Sequence, residues 1–371
     1  MVLGLLPAIR GGLGELSKTG QGSRLIDGYF KPYARAFDEV RYFSYLRESL
    51  DRFTADAEVL ARVRVLPGAA IHPWLYAFLM PVRYRRELCG CGILRVFQVT
   101  GVIPAVLAKR WFGVPFVTTY GFSYGQLARS RGSRWLRQRV ASLGLAAADG
   151  VIVPTEALRA HVVARAGAAK VHLVPNGVDT ARFRPAPRAA GALTRVLYVG
   201  RLSAEKNLDT LVEAVGKLVG RLDVRLTFVG DGPCRERLVG LARRLRVPLE
   251  ARPFVDHRLL PAVFAEADVF VLPSFTEGHP KVLLEAMSSG LPCVASDVGG
   301  NRAILADGET GLLFDPGDPG GLAERLERVL GQEDFARGLG ERARAEVVAR
   351  YDLATLVARE IELLQRLARA R

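Results

Sequence analysis

The chain has 371 residues, 49% of them apolar and 24% charged, with a formal net charge of +14. That is long for one hydrophobic core and comfortable for two domains. No run approaches the ~18–20 uninterrupted apolar residues of a membrane-spanning helix, and the opening MVLGLLPAIRGG is apolar too briefly, with no basic start, to read as a signal peptide. A cytoplasmic globular protein is expected. The surplus positive charge suits an anionic partner: nucleic acid, a membrane surface or a polyphosphate. With no zinc finger, RNA-recognition signature or basic strand interleaved with aromatics, nucleic acid ranks last. Cys89 and Cys91 form a lone C-x-C, and Cys234 and Cys293 read as small core residues, so no metal site is expected.

In chain order, Val2–Leu6 is a short apolar strand that runs into the glycine-rich turn Arg10-Gly-Gly-Leu-Gly-Glu15. Such a turn lets backbone approach a phosphate or a sugar closely. The spacing is not G-x-G-x-x-G, so a dinucleotide fingerprint is not supported. A helix over 16–36 is predicted next, then strands at 39–45, 57–66, 93–99 and 115–119. Helical patterns at 72–88, 102–112 and about 124–148 separate them. Alternation of this kind predicts a doubly wound parallel sheet. Five arginines lie between Arg129 and Arg139, with Trp135 and Leu136 among them. That pattern suits either a surface helix for anionic lipid or a solvated face in an Arg-rich protein. Asp149–Thr155 reads as a strand ending in a helix cap, and 171–185 as a strand with an Asn176-Gly177 turn.

The Pro/Ala-rich run 185–194 has no periodicity and reads as an interdomain linker. The predicted division is a first domain over 1–184, a second over 195–350 and a terminal helix over 351–371. RVLYVGR (195–201) restarts the pattern as a buried strand. The helix after it carries Leu208, Leu211, Val212, Val215, Leu218 and Val219 at helical spacing. Arg201 and Lys206 therefore share a loop at the carboxyl end of that strand, where open sheets bind ligands. Further strands are predicted at 226–232, 251–255, 268–274, 292–296 and 311–314.

Between two of these strands lies FTEGHPKVLLEAMSSG (275–290), a turn and a helix with Glu277 and Glu285 seven residues apart. Gly278 lets the backbone bend, and Pro280 suits the first helical position. Lys281 opposes the helix dipole, which makes sense if an anion occupies the helix N-terminus. The same residues suit a surface Lys281–Glu285 pair and a solvated loop glutamate equally well. No Asp-x-Asp occurs, so the phosphates of an anionic ligand would be met by Lys, Arg and helix ends rather than by a metal.

This stretch resembles the Glu-x7-Glu motif of retaining glycosyltransferases of the GT-B fold, family 4. Gly200-Arg201 with Glu205-Lys206-Asn207 matches the same family's Gly-Arg…Glu-Lys-Asn segment. The resemblance implies two Rossmann-like doubly wound domains facing a deep cleft, with the terminal helix returning to the first domain. It implies that Glu277 faces the donor sugar and Glu285 the ribose. Arg201 and Lys206 would grip the diphosphate with the backbone of Gly278, His279, Pro280, Lys281 and Val282. Gly12 and Gly14 would border donor and acceptor, the backbone near Phe254 and Val255 would read the base, and Tyr120-Gly121 would stand where many members place a histidine against the sugar.

The implied function is transfer of a sugar, with retention, from a UDP- or GDP-sugar to a saccharide or lipid-linked acceptor. It calls for no cofactor and no metal. Arg129–Arg139 would offer a peripheral contact to the inner face of an anionic membrane. Two other readings stay open: a catalytically silent nucleotide-sugar or lipid-binding protein, and a nucleotide-sugar epimerase.

Overall fold

The computed structural model describes residues 1–121, 131–186 and 194–370. The chain divides into two compact units, Met1–Pro175 with Ala354–Arg371, and Asn176–Leu353.

The first unit is built on seven parallel strands: β1 (Val2–Leu6), β2 (Glu39–Phe43), β3 (Val63–Leu66), β4 (Ile93–Val96), β5 (Phe116–Thr119), β6 (Gly150–Val153) and β7 (Val171–Leu173). Their order is β3-β2-β1-β4-β5-β6-β7, with Leu3 opposite both Val40 and Ile93. Runs such as ILRV and GVIV are buried at every position, as strands covered on both faces must be. Helix α1 (Leu13–Lys18) ends early: Gly20 takes a left-handed conformation (φ 71°), and shorter helical pieces follow as far as Ala36. The predicted continuous helix over 16–36 is therefore interrupted. The predicted strand over 57–66 is half helix, α2 (Ala57–Arg62), because Asp56 Oδ1 accepts from the amides of Glu58 and Val59 at 3.1 and 3.2 Å and caps it. Helices α3 (Pro73–Arg83), α4 (Ile103–Phe112), α5 (Arg131–Ala147) and α6 (Glu156–Ala166) cover one face of the sheet. Tyr76, Met80, Ala105, Leu145 and Val162 share one apolar core there with Leu94, Val96 and Phe116. Of the expected basic helix, Arg129 lies outside the described residues.

The second unit repeats the plan with β8 (Thr194–Val199), β9 (Val224–Val229), β10 (Leu249–Arg252), β11 (Val269–Leu272), β12 (Cys293–Ser296) and β13 (Leu312–Phe314), all parallel, in the order β10-β9-β8-β11-β12-β13. Helix α7 (Leu208–Leu218) buries Leu208, Leu211, Val212, Val215 and Leu218 of the expected stripe, while Val219, its last member, is the half-buried C-cap outside the helix. The unit begins at Asn176, nine residues before the predicted linker. The reason is packing: Phe183 is fully buried in its core, Val178 N–H donates to Tyr351 O (2.9 Å), and Thr180 Oγ1 donates to Asp352 Oδ1 (2.6 Å). Residues 187–193 of the predicted linker are outside the described residues. Helix α8 (Lys281–Ser288) follows β11.

The last helix, α9 (Leu353–Arg369), belongs to the first unit from Ala354 onward. Its Glu360 is only 4% exposed and accepts from Arg95 Nε of β4 (2.5 Å) and from the Tyr33 hydroxyl. Arg95 is completed by Val96 O (2.7 Å) and Thr119 Oγ1 (2.8 Å). A buried ion pair persists only when its remaining hydrogen-bonding groups are met as well. Burial, and then the charge of Glu360, push the Tyr33 phenol well above its ordinary range, so it stays a neutral donor.

Candidate functional site

Strand order reverses between β8 and β11 in the second unit, and the loops leaving the carboxyl ends at such a reversal are where open parallel sheets bind ligands. Lys206 lies in the loop after β8 and Glu277 in the loop after β11. Lys206 Nζ is 2.6 Å from Glu277 Oε1, which also accepts from Ser274 Oγ at 2.7 Å. Side-chain exposure of 23% for the lysine and 11% for the glutamate leaves the pair half sheltered, where charge interactions are stronger than in open water. Two more hydrogen bonds join the loops: Phe275 N–H donates to Glu205 O (3.0 Å) and the Asn207 side-chain Nδ2 to Pro273 O (3.1 Å). Asn207 itself is left-handed (φ 52°) and accepts from Thr210 Oγ1 at 2.8 Å. Asparagine tolerates that conformation better than most residues.

Two glycines allow neighbouring loops at these strand ends to touch. A Cβ on Gly230 (φ 148°), just after β9, would lie 2.0 Å from Gly200 O. One on Gly300 would lie 2.3 Å from Glu277 O. Phe254 is half-buried beside Gly230, and Val255 packs against the unit's core. Arg201, exposed in the loop after β8, holds no ion pair among the described residues.

Helix α8 begins at Lys281, not at Pro280, which is extended (ψ 115°) and takes the N-cap position. Proline offers no side-chain acceptor there, and the first turn contains no acidic residue. The helix end therefore keeps its positive polarity, with Lys281 and Val282 half-buried beside it. His279 is 6% exposed, its ring tilted against Tyr351 at 5.5 Å and its carbonyl accepting from Asn176 Nδ2 (2.7 Å). Burial first, and then Lys281 and Arg350, lower its pKa to about 4, so the imidazole packs there as a neutral ring.

Glu285 is 2% exposed, with Oε1 2.9 Å from His257 Nε2. His257 is itself buried against Phe183, and its Nδ1 has no partner among the described residues. The carboxylate expected to face a ribose thus lies inside the unit, on an imidazole.

In the first unit the expected residues are arranged differently. Gly14 N–H donates to Glu48 Oε2 (2.8 Å), Leu13 N–H donates to Glu48 Oε1 (2.9 Å), and Ser44 Oγ holds the same carboxylate. A Cβ on Gly12 would lie 2.8 Å from Glu48 and Leu46. Tyr120 is 6% exposed and stacks on His161 (5.8 Å, 24°), and Gly121 is half-buried. Sequence reading missed Ser274, His257, Asn176 and Glu48. Ser274 stands three residues before Glu277, a local signal. The other three act across 28 to 103 residues of chain and left none. A cavity of about 1230 Å³ in the second unit, lined by Thr194, Asp268 and Arg344 among others, opens near the amino ends of the strands, away from this cluster.

Tandem open parallel sheets of seven and six strands define the GT-B class of fold. Sucrose-phosphate synthase from Thermosynechococcus elongatus matches it with a TM-score of 0.83 over all of both chains at 23% identity. The Anabaena protein HepE, solved with UDP-glucose, matches with a TM-score of 0.78 over 98% of this chain and 99% of its own, at 19% identity. The family described as glycosyl transferases group 1 matches residues 179–346, and that described as Glycosyltransferase Family 4 matches residues 33–182. The chain belongs to the family-4 type of GT-B glycosyltransferases. It is 34% identical to the sulfoquinovosyl transferase of Arabidopsis thaliana over 56% of this chain and 42% of that protein. It is 32% identical to the glycogen synthase of Mycobacterium tuberculosis over 68% of this chain and 63% of that protein. It is 34% identical to that organism's GDP-mannose-dependent alpha-(1-6)-phosphatidylinositol monomannoside mannosyltransferase, over 53% and 56%. The chain thus spans between 42% and 63% of the length of these curated relatives.

Proposed function

We propose that this protein is a retaining glycosyltransferase that moves a sugar from a UDP- or GDP-sugar to a saccharide or lipid-linked acceptor, without a divalent ion. The observation that carries this reading is the Lys206–Glu277–Ser274 cluster at the strand-order reversal, one loop from an uncapped helix N-terminus. A nucleoside diphosphate leaves readily once its growing negative charge is stabilised. Lys206, Arg201 and the first turn of α8 offer that stabilisation by fixed charges and amides. An incoming diphosphate competes with Glu277 for Lys206 and frees the carboxylate to orient the sugar and steady positive charge at its anomeric carbon. The leaving phosphate takes the acceptor's proton on the same face. Relatives lend support to either donor base: one is named for GDP-mannose and another was solved with UDP-glucose. A lipid acceptor, named for the mannosyltransferase relative, would place the work at a cytoplasmic membrane surface.

Lys206→Ala is the test. Sugar release from UDP- and GDP-sugars should fall by ~100-fold or more, with the thermal unfolding profile unchanged and wild-type turnover persisting in EDTA. A variant that keeps near-full turnover overturns the phosphate-clamp assignment. Wild-type protein that binds nucleotide but never turns over, with any acceptor, would instead be a silent binder.

A further inference from the structure

Helices α3, α4 and α5 form one layer on the first unit's sheet. Their inward residues fill its core, and their outward residues are unusual. Helix α3 is apolar on both sides: Tyr76, Ala77 and Met80 are buried, while Leu75 (54%), Phe78 (52%), Leu79 and Val82 (63%) are exposed at helical spacing. Trp111 of α4 and Trp135, Leu136 and Leu143 of α5 are exposed as well. With Ile71, nine of the fifteen exposed large apolar side chains among the described residues fall between positions 71 and 143. A scatter of single exposed apolar residues needs no explanation, but a concentration does.

Charge is concentrated in the same stretch. Residues 67–148 hold eleven Lys and Arg against one acidic residue, Glu87; two of the eleven are paired elsewhere, Arg95 with Glu360 and Lys109 with Asp149. None of Arg83, Arg85, Arg86, Arg110, Arg137 and Arg139 has an ion-pair partner among the described residues. Arg85, two residues past α3, lies over the Phe112 ring of α4 at 6.0 Å, and Arg139 lies over Trp135 at 5.2 Å. The face is thus an apolar stripe with tryptophan and arginine at its rim.

We propose that this α3–α4–α5 face is a docking surface for an anionic lipid bilayer. Leu75, Phe78, Leu79 and Val82 enter the boundary between headgroups and acyl chains, and the rim arginines meet lipid phosphates. Among the described residues no helix is long and apolar enough to cross a membrane, so the contact is interfacial. A second copy of the chain would bring a like-charged face against this one, which costs rather than binds. Nucleic acid would leave the stripe unused, because Leu, Phe and Val offer nothing to a phosphate backbone. This deepens the membrane reading by moving its centre from Arg129–Arg139 to α3, and it does not depend on the transferase chemistry.

All three tryptophans, Trp74, Trp111 and Trp135, lie in this segment, so intrinsic fluorescence reports the contact without a label. The full chain is mixed with vesicles of phosphatidylcholine, alone or with phosphatidylglycerol, and followed by cosedimentation and by tryptophan emission. Binding to the anionic vesicles, with a blue shift that weakens as salt is raised, is expected. Leu75→Gln/Phe78→Gln/Val82→Gln should weaken it by about tenfold or more, and its thermal unfolding should match wild type because these side chains are already exposed. Arg83→Glu/Arg86→Glu should remove the preference for anionic lipid. UDP binding, measured in parallel, should be unchanged in both variants, so failure here and failure of the transferase reading are seen separately. Equal affinity for both vesicle types, wild-type binding by the triple variant, or a dimer in sedimentation velocity that this variant disperses would each overturn the proposal.

Discussion

The two units share a sheet plan and a strand-order reversal, yet they use the reversal differently. In the second unit the loops after β8 and β11 bring a cation and a carboxylate together beside an uncapped helix end. In the first unit the glycine turn after β1 is already occupied by an anion from the chain itself, Glu48, which takes the amides of Leu13 and Gly14. Close packing fills the other side, where a Cβ on Gly101 would lie 2.1 Å from Pro7 O. The first unit places its strongest buried charges elsewhere, in the Arg95–Glu360 pair that fastens α9 to the sheet. A shared fold therefore fixes where a ligand site can form, and individual side chains decide whether it is left open.

The largest effect should come from breaking that fastening. Glu360→Ala strands Arg95 in the interior and should destabilise the first unit by ~3–5 kcal/mol in denaturant unfolding, whereas Arg95→Met/Glu360→Leu should recover most of the loss. An Ala variant as stable as wild type would show that the pair does not hold α9.

A smaller effect separates the units by pH. His279 has a folded pKa of about 4, below the ordinary histidine value of 6.5. The unfolded chain therefore binds the extra proton first as pH falls. The neutral ring's contribution is complete above about pH 6.5 and is lost on the way down to about pH 4, on the order of 3 kcal/mol at the lower end. His279→Phe should flatten the decline of the second unit's stability with acid, as followed by hydrogen exchange. An unchanged pH slope would mean the imidazole does not titrate in this range.

The smallest effect tests the filled turn. Glu48→Ala leaves two amides without their acceptor and should cost ~1–3 kcal/mol in the first unit, with nucleotide affinity unchanged. A variant that instead gained pyrophosphate affinity would show that Glu48 had been guarding an anion site, and would erase the contrast between the two turns.

Much of this was legible in order along the chain. β1 starts and ends where the apolar run predicts, and α7 buries all but the last member of the stripe read from its spacing, because a parallel strand and an amphipathic helix are written in short-range periodicity. Local capping chemistry was harder to read: Asp56 turned half a predicted strand into α2, and Pro280 took the cap rather than the first turn of α8.

The sequence by itself determined the alternation of strands and helices, the two-part organisation, and the loops in which Arg201, Lys206 and Glu277 must lie. Only tertiary structure decided that Glu277 is held by Lys206 and Ser274, that Glu285 turns inward to His257, and that Glu48 closes the first glycine turn. The physical reason is range: backbone periodicity and turn chemistry act over a few residues, whereas a carboxylate's partner is whichever donor the packed strands bring within 3 Å.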